Sequence, residues 1–243
     1  MGLNGGSRDG ARNAPGAMDL KQKQGNKEIM KMNKGMGLAL IAALIAGTAV
    51  ADVKQAERSS NSLKATQTEM QGAYDQITVT IGSLGTLMSA QVGDLRPMLT
   101  AFTAEVKSLK ANAETVRSRA QRMQDENKEY FASWAQEIAA IADPAIKAQS
   151  QTRLQETFAN YQKVEQGLFQ TRDGYLPLIS TLNDMETALN QDLSPAGKAA
   201  LQPTFAKIRE QAVATQGAMK ATQAALVTAL GGLTPRASGI VAQ

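Results

Sequence analysis

The 243-residue chain contains no histidine and no cysteine, only 4% of its residues are aromatic, and tryptophan occurs once. Each absence removes a class of chemistry. Without imidazole or thiolate, a Ser-His-Asp triad, a cysteine nucleophile and ordinary zinc or copper sites are excluded. No disulfide can form, so a hydrophobic core must supply the stability. Carboxylate chemistry or a Ser-Lys pair remains, and no spacing in the chain predicts either. The sequence therefore reads as a non-enzyme, with no catalytic residue, cofactor or metal site assigned.

The charge balance divides the chain. Lys and Arg number 26 against 22 Asp and Glu, and the sequence pI is near 9.3. Seven of the 26 basic and three of the 22 acidic residues fall within residues 1–51, which leaves 19 of each sign in the remainder. Nucleic-acid binding needs a clustered basic excess, so none is expected of residues 52–243.

The uncharged run from Gly35 to Gly47 follows Lys27, Lys31 and Lys34 and ends in Ala49-Val50-Ala51. A basic start, a short apolar core and small residues before a cleavage point make the plan of a secretory signal peptide. The core falls short of the roughly 20 apolar residues of a membrane span, so cleavage between Ala51 and Asp52 is expected. No cysteine follows, which excludes lipoprotein processing. The chain thus divides into a disordered leader or misassigned start (1–29), a signal peptide (30–51), a helical bundle (52–230) and a flexible tail (231–243). Export to a periplasmic or extracellular location follows from this division.

Apolar residues then recur at helical spacing. From Leu95 the series Leu99, Phe102, Val106, Leu109, Ala113, Val116, Ala120, Met123, Asn127, Tyr130 and Trp134 alternates steps of four and three. This is an a/d heptad seam held for about five repeats. A second seam runs Leu63, Gln67, Met70, Tyr74, Ile77, Ile81, Leu84 and Met88. Further seams follow Pro144 (Leu154, Phe158, Tyr161, Val164, Leu168) and Pro195 (Leu201, Phe205, Ile208, Ala212, Thr215). Asp143-Pro144 and Ser194-Pro195 each place a capping side chain before a proline suited to the first helical position. Gly93-Asp94 can end one helix and cap the next. Helices are expected near 53–91, 95–142, 145–192 and 195–230, with kinks at Pro177 and Pro203 and a stop at Gly231-Gly232. Short connections force antiparallel neighbours. The fold predicted is all-α, an elongated antiparallel four-helix bundle with coiled-coil-like packing.

The stretch Tyr130-Phe131-Ala132-Ser133-Trp134-Ala135-Gln136-Glu137-Ile138, with Ala142-Asp143-Pro144-Ala145-Ile146-Lys147-Ala148-Gln149-Ser150 and Arg153-Leu154, resembles a family of exported bacterial helical proteins catalogued only as a domain of unknown function. The resemblance continues through Thr157, Tyr161, Tyr175-Leu176-Pro177-Leu178 and Leu182-Asn183-Asp184 to Leu189 and Leu193, over roughly the last half of the chain. Members usually carry an apolar-then-basic run ending in His-Asn-Leu just after the position of Asp184. This chain has Met185-Glu186-Thr187-Ala188 and Asn190-Gln191-Asp192 there. The resemblance implies an exported, coiled-coil-like protein without a known catalytic role.

Three clusters invite a functional reading. Asp125, Glu126 and Glu129 form the densest acidic group, but Arg122 four residues before Glu126 and Arg119 nearby make a solvated, ion-paired helix face the expected outcome. Arg117 does not share a face with Arg119 and Arg122, so no basic patch is expected. Asn127 occupies a seam position, where its ordinary role is to fix register and partner number. Tyr130, Phe131 and Trp134 lie within about one turn, and core packing is the expected role of Tyr130 and Trp134 on the seam. Asn127, Tyr130 and Trp134 are accordingly the candidate register or contact residues. The function expected is protein–protein contact in the cell envelope, with an envelope protein or a second copy as partner. The alternative is an amphipathic bundle that binds lipid or an apolar ligand; a membrane surface is the less favoured partner because the charge after residue 51 is balanced.

Overall fold

The computed structural model describes residues 53–233. The leader, signal-peptide and cleavage assignments, and the tail from residue 234 onward, lie outside the described residues. Five helices occur among the described residues: α1 (Val53–Ser89), α2 (Arg96–Ala140), α3 (Pro144–Gln191), α4 (Pro195–Ala200) and α5 (Gln202–Leu233). No strand occurs among the described residues.

The turns are built as their side chains dictate. The Asp143 carboxylate accepts from the amides of Ala145 and Ile146 at 2.8 and 2.9 Å, with Pro144 opening α3. Ser194 Oγ accepts from the Gly197 amide at 3.1 Å ahead of α4. Between α1 and α2 the chain reverses through Gly93 at φ +99°, a backbone conformation that costs a glycine little, and Asp94 then accepts from the Arg96 amide at 3.0 Å.

Two punctuation marks act differently from expectation. The last segment is not one helix kinked at Pro203. It breaks at Leu201, so Pro203 falls in the first turn of α5, where its missing N–H breaks no helical bond. Gly231 and Gly232 do not stop that helix either, which runs on to Leu233. The buried Leu233 side chain holds the extra turn against the core, and burial outweighs the roughly 1 kcal/mol cost of each glycine. α3, by contrast, continues through Pro177 as a single element.

Each long helix packs against two others, in the ring order α1, α2, α3, α5. The partners run in opposite directions. Going up α3, Thr157, Gly167 and Gly174 meet Gly232, Thr222 and Thr215 in descending order on α5. Up α1, Ser59 and Gln76 meet Asn127 and Glu105 of α2. The contact is more extensive within the hairpins α1–α2 and α3–α5 than between them.

The core filled by this ring falls into two apolar clusters. One gathers Met70, Ile77, Leu84, Phe102, Leu178 and Ile208 toward the turns that follow α1 and α3. The other gathers Leu63, Met123, Tyr130, Phe131, Tyr161 and Leu226 toward the turn between α2 and α3. Between them lies a waist of small and hydroxylated residues. Thr66, Thr171 and Thr222 are buried there, the Thr171 and Thr222 hydroxyls stand 3.1 Å apart, and α2 has no buried residue between Leu109 and Met123.

Candidate functional site

The three candidate contact residues come together in the second cluster. Steps of three and four along α2 bring Met123, Asn127, Tyr130 and Trp134 onto one inward stripe. Asn127 and Ser59 are both fully buried. Ser59 Oγ donates to Asn127 Oδ1 at 2.6 Å, and Asn127 Nδ2 donates to the Met123 carbonyl at 2.8 Å. Every buried polar group here must find a partner or lose hydration uncompensated, and this pair meets that demand while tying α1 to α2 at one register.

The aromatic side chains stack next to it. Phe131 is the hub, with ring centroids 5.3 Å from Tyr130, 5.1 Å from Phe158 and 5.5 Å from Tyr161. Tyr130 leans on Trp134 at 5.7 Å, and the Arg153 guanidinium lies 5.5 Å from the Trp134 ring centroid. Trp134 is half-buried at the rim rather than in the core. Asn127, Thr157, Tyr161 and Phe131 border a narrow interior seam with no room for a water molecule. This interior is packed rather than open.

Its electrostatics are uneven. The Tyr161 hydroxyl is buried without a hydrogen-bond partner. Burial, then the negative charge of Glu165 one turn along and of Asp125, push its ionisation far above the usual tyrosine range. Glu165 is close enough to be felt by that hydroxyl without forming a hydrogen bond of normal geometry, and burial raises its own pKa. Burial also raises Glu137, whose Oε1 has no partner. Tyr130 is raised chiefly by burial, with Arg153 opposing the shift.

The acidic cluster on α2 disperses. Asp125 accepts from Gln121 at 3.3 Å, Arg119 turns to Glu69 of α1 at 3.6 Å, and Arg117 pairs with Glu114 at 3.3 Å. The ion pair expected between Arg122 and Glu126 does not form among the described residues. No group of acidic side chains placed to hold a metal ion occurs among the described residues.

One polar feature at the opposite end was not anticipated. Lys198 of α4 is buried, and its Nζ donates to the Leu87 carbonyl at 3.4 Å and to the Ala90 carbonyl. These oxygens belong to the last turn of α1 and the residue beyond it, where carbonyls lack helical partners and the helix dipole favours a cation. A shallow recess of about 270 Å³ opens beside it, lined by Gln91, Gly93, Asp94, Arg96, Leu193 and Lys198. The only sequence signal for this lysine is a basic residue three positions after a Ser-Pro cap.

The arrangement offers close packing and a fixed register between α1 and α2. No helix among the described residues is long and apolar enough to cross a membrane. No curated protein and no solved structure matches the chain. A family model described as a protein of unknown function, DUF2959, matches residues 48–226, and the chain belongs to that family.

Proposed function

We propose that this chain is a non-enzymatic, exported helical-bundle protein that acts through protein–protein contact or self-assembly in the cell envelope. The observation that carries the reading is apolar surface left outside the ring: Val213 and Val227 of α5 are 71% and 57% exposed, and Ile146 and Leu176 of α3 are 56% and 47% exposed. These side chains have no use inside the ring, and on the outward faces of α3 and α5 they are open to a partner. The uncharged run before Ala51 supports export. Affinity capture from envelope extract, beside light scattering of the purified chain, tests the reading. Specific co-purifying proteins or a mass above the monomer are expected; an inert monomer with nothing captured overturns it.

A second reading is favoured by the lighter packing between hairpins than within them. Separation of α1–α2 from α3–α5 would expose two amphipathic faces to lipid or an apolar ligand. Liposome flotation separates the two readings: chain that remains wholly in the soluble fraction removes this one.

A further inference from the structure

The outward face of α5 differs from the solvent face of α2. Ala206, Glu210, Val213, Gly217, Lys220 and Ala224 are all exposed and follow one another in steps of four and three, and Val227 extends the stripe. This is a second heptad seam, on the side away from the core. From Gln211 to Leu233 the single charged residue is Lys220. The exposed surface of α2, by comparison, carries Lys107, Lys110, Glu114, Arg117, Arg122 and Glu129.

We infer that this face is a homodimer interface, on which α5 of a second copy lies antiparallel about a two-fold axis at the level of Thr215. The inference rests on the self-assembly reading above and names the surface. Charge selects the occupant and the register. With the axis at Thr215, Glu210 faces Lys220 of the second copy, and the symmetry forms that pair twice. Val213 then faces Gly217 and Ala206 faces Ala224, so apart from the charged pair the seam is lined by small side chains and the helices can approach closely. Sliding by one heptad sets Lys220 against Gly217 and leaves both charges without a counterpart.

Neither charge, Glu210 nor Lys220, is spent on an ion pair within the chain's described residues. The Lys220 Nζ rests 5.3 Å from the centroid of the Tyr74 ring, which holds the ammonium near the α1–α5 edge, and a Cβ on Gly217 would meet nothing within 4 Å. From Pro203 to Val227 the face is about 36 Å long. One helix face of that length sits at the small end of specific interfaces, so the dimer is weak and is best read over about 10–300 µM chain.

Sedimentation equilibrium of the full chain tests the inference, with circular dichroism of each variant as the control for folding. The natural chain is expected to dimerise and Gly217→Arg to be monomeric. Glu210→Lys, which sets lysine against lysine twice, should weaken the dimer roughly tenfold or more. The double swap Glu210→Lys with Lys220→Glu should restore it. A dimer indifferent to Gly217→Arg and Glu210→Lys overturns this interface while leaving self-assembly standing on another face. A natural chain that stays monomeric throughout that range overturns the interface and self-association together, and leaves hetero-association to the capture experiment.

Discussion

The two halves of the core solve the same packing problem with different materials. Toward the turns after α1 and α3 the filling is aliphatic, with Leu84, Leu87, Leu178, Leu182 and Met185 fully buried around Phe102. Toward the α2–α3 turn the filling is aromatic, and it includes the Ser59–Asn127 hydrogen bond, a Tyr161 hydroxyl without a partner and a carboxyl, Glu165, raised by burial. The aliphatic half gains from area removed from water, which is indifferent to small slips of one helix past another. The aromatic half gains less from its polar atoms, and those atoms discriminate between registers. Alignment is not confined to that half, since the Tyr175 hydroxyl donates to the Leu109 carbonyl at 3.0 Å and Lys198 to the end of α1, so the halves differ in emphasis rather than in kind.

The comparison is broken most forcefully from the aliphatic side. Phe102→Ala removes the largest fully buried side chain and should cost about 3–5 kcal/mol in urea unfolding. At the waist, a Cβ on Gly167 would stand 2.5 Å from Thr222 Oγ1. Gly167→Ala should therefore destabilise by about 1–3 kcal/mol, with much of the loss recovered when Thr222→Ala is added. An additive double variant would show that α3 and α5 do not meet there.

The aromatic half responds to polarity more than to volume. Asn127→Ala strands the buried Ser59 hydroxyl and should cost about 1–3 kcal/mol, and adding Ser59→Ala should return part of it. Tyr161→Phe deletes a buried hydroxyl with no partner, so the melting temperature should hold or rise, by up to about 1 kcal/mol equivalent. A marked fall would mean that the hydroxyl is satisfied after all.

The smallest effect is a slope with pH. Burial holds Glu165 and Glu137 above the ordinary carboxylate value of 4.5, so the folded chain binds those protons more tightly than the unfolded chain. Stability should fall as pH rises from that value through the raised pKa of each group, and return on acidification. Asp192, lowered by hydrogen bonds from Ser194, works in the opposite sense on the acid side of its ordinary value. Melting temperature against pH for the natural chain and Glu165→Gln checks this, the variant being expected to lose part of the falling limb.

Much of the fold was legible because it depends on periodicity. The α2 seam places Leu99, Phe102, Val106, Leu109, Met123, Asn127 and Tyr130 in the interior, and all seven are buried. On α1, periodicity misplaces a buried threonine. Thr66 takes the interior position that the spacing assigns to Gln67, and its hydroxyl donates to the Ser62 carbonyl one turn back at 2.9 Å. Thr215 and Thr222, which the spacing does place on the seam, donate in the same way to the Gln211 and Ala218 carbonyls. A side chain that satisfies itself on its own helix can be buried without leaving a polar mark on its neighbours. Of the site, Asn127 and Tyr130 were visible as seam residues. Ser59 was not, because its partner lies 68 residues away.

The Lys198 ammonium reaches carbonyls 108 and 111 residues earlier in the chain. Order of assembly follows from that separation. The end of α1 lacks this cation until the chain has been made as far as α4. Lys198→Ala should therefore lose protection from hydrogen exchange first at Leu87–Ala90, so the last-made fifth of the protein finishes the first described helix.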